Sequence, residues 1–368
     1  MTPFDFRPRT RVVFGAGEFS RLGEIAREVG GSRCLVVADP GIVAAGHAQE
    51  AIRSLKARRM EVVAFHDFSV NPTAAMMEAG RDLATPHNID LIVSIGGGSS
   101  MDCAKGINFV LSNGGRMRDY AGYGKAQRPM IPMIAVPTTA GTGSEAQSFC
   151  IVSDPPTGNR FACGDAKASF RVAVLDAKLT LTQSKELTAA TGYDALSHAL
   201  ETLVTTRHTA LSECFSRSAW RLINSAYEQV LQHAGDLDAR GAMLLGAHFG
   251  GLAVENSMLG AAHACASPLQ LRYGLPHGVA IALTLPHVVR WNRPVAGDRY
   301  DELFSGDLES RLKRLAETAG LPVTLREAGV PEEALPRMAD EAGAQWTGRF
   351  NPRSFDAAAA LEIYQQAL

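Results

Sequence analysis

The chain has 368 residues, 46% of them hydrophobic, and its 36 Lys and Arg nearly balance 38 Asp and Glu for a formal net charge of −2. That length exceeds what one hydrophobic core usually serves, so two domains are expected, and the near-neutral balance excludes the electrostatic footprint of a nucleic-acid or anionic-membrane binder. The opening MTPFDFRPRT has no apolar signal core and no window approaches the roughly eighteen apolar residues of a spanning helix, so a cytoplasmic protein is expected.

From Arg11 to about Val136, short β-rich runs alternate with amphipathic helical segments, the pattern of βαβ units around a mainly parallel sheet. The strand candidates are RVVF, RCLVVAD, EVVAFH, LIVSIG and PMIAVP. Segments such as FSRLGEIAREVG and AAGHAQEAIRSLKARR carry apolar residues near the helical period and read as crossover helices. FGAGEFS begins a GxGxxG at Gly15 and Gly17 but ends it in Ser20, so it reads as a strand-to-helix turn. Asp39 closes RCLVVAD, where a carboxylate can bond an adenosine ribose and repel a 2′-phosphate, which points to NAD over NADP; it also stands where an N-cap ahead of Pro40 would.

The most specific element of the first half is SIGGGSSMDCAKG, which passes from an apolar strand through Gly96, Gly97, Gly98 and Ser99 into a helix carrying Asp102. Glycines let backbone amides wrap a phosphate, and a helix N-terminus adds free N–H donors and a favourable dipole. A second loop, VPTTAGTGSE, places Thr138, Thr139, Thr142 and Ser144 at a strand's carboxyl end, the edge at which open α/β sheets bind ligands. Two such loops favour a dinucleotide. SFCIVSD, NRFACGD and RVAVLD follow as a short β interlude with PPTGN as a turn.

From about Thr180 the pattern is almost wholly helical, with turns expected at Gly274, at Pro294 and at Gly320 with Pro322. The expected division is an α/β dinucleotide-binding domain over 1–179 and an all-α metal-binding domain over 180–368. In TGYDALSHALE, Asp194 and His198 are four apart and share one helical face. His263 lies in an Ala-rich helix that Pro268 is expected to end, and His277 stands between Pro276 and Gly278 at the start of an apolar run. Three imidazoles and one carboxylate suit a first-row divalent ion such as iron or zinc, and suit calcium or magnesium poorly. The six cysteines are scattered without a CxxC pair and read mostly as small buried hydrophobes; His248, Met258 and His287 read as packing.

With GGGSSMD, PTTAGTGSE, TGYDALSHALE and the two later histidines in order, the chain resembles the iron-containing, group III alcohol dehydrogenase family over nearly its whole length, from VVFGAG through Asn71, Pro72 and Thr73 to NPR at Asn351 to Arg353. The resemblance implies the dehydroquinate synthase-like fold, with NAD(H) in a cleft above a divalent metal, Fe2+ first among the candidates. It carries the metal ligands onto Asp194, His198, His263 and His277, and the pyrophosphate loop onto Gly97, Gly98 and Ser99. It places Asp102, Thr138, Thr139 and Ser144 along the cofactor, makes Asp39 the coenzyme selector, and puts Asn71 at the border of the site.

Three departures bear on substrate. Ser267 replaces a histidine that many members carry four residues after the third ligand, which removes an imidazole from the proton relay. Arg160 stands where a lysine is common near the nicotinamide, and Val254 where an aromatic often narrows the pocket, so a substrate somewhat larger than a two-carbon alcohol is expected. Arg272 is placed to meet an anionic substrate group only if it faces the site, and otherwise lies on the solvated surface. The implied activity is reversible hydride transfer between nicotinamide and a small alcohol or carbonyl compound by a homodimer associated through its N-terminal strands. The other classes left open are a lyase that uses NAD transiently, as in the dehydroquinate synthases, and a non-catalytic metal- and NAD-binding protein.

Overall fold

The computed structural model describes residues 2–154 and 159–368 and separates into two units. The first, Phe6–Thr139 with Gly143–Thr182, is built on a six-stranded parallel sheet in the order β1-β9-β6-β4-β2-β3. Its strands are β1 (Arg11–Phe14), β2 (Arg33–Ala38), β3 (Glu61–Phe65), β4 (Leu91–Gly96), β6 (Met133–Pro137) and β9 (Val172–Leu175), and a smaller sheet joins β5 (Gly122–Tyr123), β7 (Phe149–Asp154) and β8 (Asn159–Gly164). Every residue of β4 and β6 is buried, which is why these strands read as unbroken apolar runs.

The helices of this unit are α1 (Leu22–Val29), α2 (Pro40–Ala44), α3 (His47–Ala57), α4 (Ala74–Ala84) and α5 (Gly98–Asn113). Leu22, Ile25 and Ala26 of α1 and Ala48, Ala51 and Leu55 of α3 pack on Val36, Val93, Ile134 and Val174 of the sheet in one core. Truncating one of these large side chains, as in Leu55→Ala, costs about 2–5 kcal/mol. Because the strands are parallel, Asp39, Gly97 and Thr138 follow the carboxyl ends of β2, β4 and β6 on one edge. The chain runs from β2 to β3 in one direction and from β4 to β6 in the other, so β2 and β4 flank the point of reversal where such sheets bind ligands.

One expectation is corrected here. RVAVLD does not belong with the β interlude: β9 inserts between β1 and β6 of the main sheet, in register Val172 with Arg11 and Ile134. Its apolar run shows a strand but not its partner. The expected PPTGN turn lies outside the described residues.

The second unit comprises Gln183–Leu368, the segment before Phe6 and the short loop Ala140–Thr142. Its helices are α6 (Lys185–Val204), α7 (Ala210–Gln232), α8 (Leu237–Ser257), α9 (Ala261–Tyr273), α10 (His277–Leu303), α11 (Leu308–Thr318), α12 (Leu335–Gly343) and α13 (Ala357–Ala367). Side-chain oxygens cap several of them; Ser184 accepts from the Leu187 amide at α6, and Asp236 accepts from Asp238 and Ala239 at α8. No helix among the described residues is long and apolar enough to cross a membrane.

Two expected helix ends are absent. Pro268 lies inside α9, which continues to Tyr273 and stops at Gly274 in the left-handed conformation, and Pro294 lies inside α10. A proline removes one amide and crowds one carbonyl, at about 3 kcal/mol in a helix interior. Pro268 is buried, so packing offsets that cost, while Pro294 sits on an exposed face where water can reach the freed carbonyl.

Candidate metal centre and nucleotide site

Asp194 and His198 point the same way from α6 because four residues complete about one turn. His263 enters from the first turn of α9 and His277 is the first residue of α10. Gly278 sets that last approach: a β-carbon there would collide with the Ala190 carbonyl of α6, so only glycine lets the two helices close. On the other side Gly250 of α8 leaves 3.2 Å for a β-carbon against that of His198.

Three imidazole nitrogens surround one carboxylate oxygen. Asp194 Oδ1 is 3.5 Å from His198 Nε2, 3.6 Å from His263 Nε2 and 3.2 Å from His277 Nε2. One atom each from Asp194, His263 and His277 lie within 4.8 Å of one another, and His198 stacks against His263 with ring centres 5.2 Å apart. Asp194 Oδ1 and His263 Nε2 are buried and make no hydrogen bond. Buried polar atoms without partners cost about 1–3 kcal/mol each, and lone pairs converging on one point are what a divalent cation uses. The donor set fits the metal.

Protonation in this cluster follows from burial and charge. Burial favours neutral Asp194, but the surrounding histidines outweigh it and hold the carboxyl well below its ordinary range. His198 is pushed down to about 4, mainly by burial. Burial also opposes a charge on His263, yet Glu201 and Asp194 prevail and raise it to about 9.

Glu201, on α6 below Asp194 and His198, is a site residue the motif reading passed over. It is 4% exposed, bonds His263 Nδ1 through Oε2 and accepts from the Ala262 amide through Oε1 at 2.8 Å. Its spacing of seven from Asp194 and three from His198 was the available signal, but a glutamate near a helix end ordinarily reads as solvated. Met258 stands just past the end of α8, and its φ of 95° and ψ of 172° fall in a region kept almost wholly by glycine, at a cost of about 1–3 kcal/mol.

In the first unit α5 begins at Gly98 with Gly97 before it, and a β-carbon at Gly97 would come within 3.2 Å of the Thr139 side chain. Gly96 has φ +140°, and a β-carbon there would collide with the Ser100 hydroxyl. The turn therefore needs its glycines, and it leaves the first amides of a sixteen-residue helix as a cradle for an anion. Ser99 Oγ accepts from the Asn71 amide at 3.1 Å, so Asn71, with φ 58°, joins this loop. Asp39 does two things: Oδ1 caps α2 by accepting from Gly41 and Ile42, and Oδ2 accepts from Ser100 at 3.0 Å.

Asp102 turns inward, accepting from Ser144 Oγ and the Ile151 amide, each at 3.2 Å. Burial lifts its carboxyl to about 6 against the pull of Lys105 and Arg160. Lys105, unremarked in the sequence, is fully buried and ties α5 to the Ser144 carbonyl and hydroxyl and the Phe149 carbonyl at 2.7–3.0 Å. Arg160, on β8, is partly buried, and burial lowers its pKa despite Asp102. Thr138 is buried with its amide on the Gly96 carbonyl, while Thr142 falls in the loop that packs with the helical unit.

Two curated relatives align with the whole chain: an NAD-dependent methanol dehydrogenase of Bacillus methanolicus, 31% identical over 100% of both chains, and a 1,3-propanediol dehydrogenase of Citrobacter freundii, 32% identical over 99% of this chain and 98% of its own. The model of iron-containing alcohol dehydrogenases matches residues 8–177, and that of the C-terminal domain of the Fe-containing alcohol dehydrogenase family matches 188–368. The chain belongs to the iron-containing alcohol dehydrogenase family. A crystal structure of a 1,3-propanediol oxidoreductase superposes with a TM-score of 0.95 at 31% identity over 100% of both chains. The chain is an alcohol dehydrogenase or aldehyde reductase that uses a metal.

For this family the three proposed substrate residues take distinct positions. Val254 is buried in α8, and Ser267 is partly buried on α9, one turn beyond His263. Arg272 forms a two-pronged ion pair with Glu341, its Nε 2.7 Å from Oε2, and is not brought to the metal cluster. Cys265 is buried, and burial pushes its thiol up, so it carries no reactive thiolate.

Proposed function

We propose that this chain interconverts a short hydroxylated alcohol and its aldehyde, with NAD(H) as coenzyme and Fe2+ as the ion held by Asp194, His198, His263 and His277. The observation that carries the reading is the convergence of three imidazole Nε2 atoms on the buried, unbonded Asp194 Oδ1. When bound, the metal supplies Lewis acidity toward the substrate oxygen and the coenzyme supplies or accepts the hydride.

The protein's own groups do the positioning. The first amides of α5, with Gly97, Gly98 and Ser99, hold the pyrophosphate, and Asn71 braces that loop through Ser99. Asp39 holds the adenosine ribose and excludes a 2′-phosphate. Thr138, Thr139, Thr142, Ser144 and Arg160 complete the nucleotide site, with Asp102 and Lys105 fixing Ser144 behind it. Ser267 can relay a hydrogen bond but does not titrate near neutrality, so protons leave through hydroxyls or water. Val254 supports a substrate longer than two carbons, as does similarity to relatives named for 1,3-propanediol.

A homodimer is part of this reading, supported by the edge strand β1, where Val12 and Phe14 are 40% and 47% exposed. A cytoplasmic setting fits six free thiols, five of them buried. The test is anaerobic NADH oxidation by ferrous-reconstituted protein across short, hydroxylated and carboxylated aldehydes, with metal-stripped protein as control. Metal-dependent turnover strongest on hydroxylated three-carbon aldehydes is expected; turnover indifferent to metal removal would refute the four-ligand assignment.

A further inference from the structure

His263 stands in the first turn of α9, behind an unusual connection from α8. Met258 stands at the end of α8 in a strained backbone conformation, Gly260 follows, and α9 starts at Ala261, two residues before the imidazole. The first-turn amides of a helix have no partner within it. Two of those of α9 are taken by side chains from distant parts of the chain: Glu201 Oε1 accepts from Ala262 at 2.8 Å, and Asn351 Oδ1 accepts from Ala261 at 3.3 Å. Gly260 is enclosed between these two anchors, since a β-carbon there would lie 3.1 Å from Glu201 Oε1 and 3.0 Å from Asn351 Oδ1.

Each anchor is itself held. Asn351 is 4% exposed and exchanges two amide hydrogen bonds with Asn292 of α10, at 3.0 and 2.8 Å, while its Nδ2 also donates to the Arg353 carbonyl. Arg353 closes the motif by donating to the Trp291 carbonyl and lying 4.0 Å over that indole. Glu201 shares α6 with Asp194 and His198, so the carboxylate that grips His263 is rigidly linked to two of the other ligands. Its Oε2 accepts from His263 Nδ1, which turns Nε2 toward Asp194 as the nitrogen available to an ion.

We propose that Glu201 and Asn351 are positioning residues that set His263 for metal before the ion arrives. This rests on the four-ligand reading. Glu201 fixes the tautomer and ring direction; Asn351 fixes the backbone turn from which the ring projects. Neither touches the ion, substrate or coenzyme.

The experiment compares full-length wild type, Glu201→Gln and Asn351→Ala after metal removal and titration with Co2+. It reads affinity by chelator competition, the visible ligand-field spectrum, and the melting temperature of the metal-free protein. Both variants are expected to bind Co2+ about 10–100-fold more weakly, Glu201→Gln with an altered spectrum and a near wild-type metal-free melting temperature. A merely structural role would lower the melting temperature and leave affinity and spectrum intact, which overturns the proposal. Wild type that binds no Co2+ instead refutes the four-ligand reading and takes this inference with it. Should Asn351→Ala fail to fold, Glu201→Gln decides alone.

Discussion

His277 Nε2 lies 3.2 Å from Asp194 Oδ1, yet that oxygen is buried and makes no hydrogen bond. An opposed pair of this kind is stable at modest cost only if a third partner binds both atoms, so metal should stabilise the folded protein. Binding at a thousand times the dissociation constant contributes about 4 kcal/mol. Asp194→Ala should lose this stabilisation and all metal-dependent turnover. Anaerobic thermal unfolding with and without Fe2+ measures it, and an equal melting shift in Asp194→Ala would place the ion elsewhere.

Asp39 combines a structural and a proposed selective role that substitution can separate. Asparagine caps a helix about as well as aspartate, so Asp39→Asn should keep α2 and the Gly41 and Ile42 bonds while losing the negative charge. The preference for NADH over NADPH in kcat/KM should fall by about tenfold or more, equivalent to at least 1.4 kcal/mol of lost discrimination. A variant that keeps the wild-type ratio would assign Asp39 to capping alone.

Arg272 was a candidate for an anionic substrate group, and its pairing with Glu341 argues for the surface role. Arg272→Ala should leave kcat and KM for hydroxylated and carboxylated aldehydes within about twofold of wild type and cost no more than about 1 kcal/mol in stability. A large rise in KM confined to carboxylated substrates would return Arg272 to the site.

What the sequence made legible is what depends on short range. Asp194 and His198 are four apart and share a face of α6, and the glycines of SIGGGSS predict a strand-to-helix turn because other residues are excluded there. The convergence of His263 and His277 on that pair is long-range: the donor types and the ordered family motifs pointed to it, while local spacing does not. Pro268 and Pro294 misled because local propensity yields to packing and to solvent on an exposed face. Glu201 and Asn351 were not read as site residues: each binds a backbone amide of α9, at Ala262 and Ala261, and backbone groups carry no identity in a sequence. β9 was read as a strand but misplaced, since a short apolar run does not specify which neighbour a strand will pair with.

Asp102 gives the first unit a pH dependence with a definite sign. Its carboxyl sits at about 6, raised from an ordinary 3.8 by burial, because Lys105 and the bonds from Ser144 and Ile151 do not fully offset lost hydration. The folded state therefore holds this proton more tightly than the unfolded chain. The stability it contributes is fully present below about pH 4 and lost as pH rises through about 6. The residue keeps part of its surface accessible, which trims the effect to on the order of 2 kcal/mol. Asp102→Asn cannot ionise, so relative to wild type its stability should rise between pH 4 and pH 7 by that amount, whatever offset the lost pairing with Lys105 and Arg160 adds at all pH values. Denaturant unfolding of both proteins at pH 4, 5, 6 and 7 reads the difference directly. Parallel profiles across that window would mean that Asp102 is already ionised at pH 4 and that Lys105 outweighs burial.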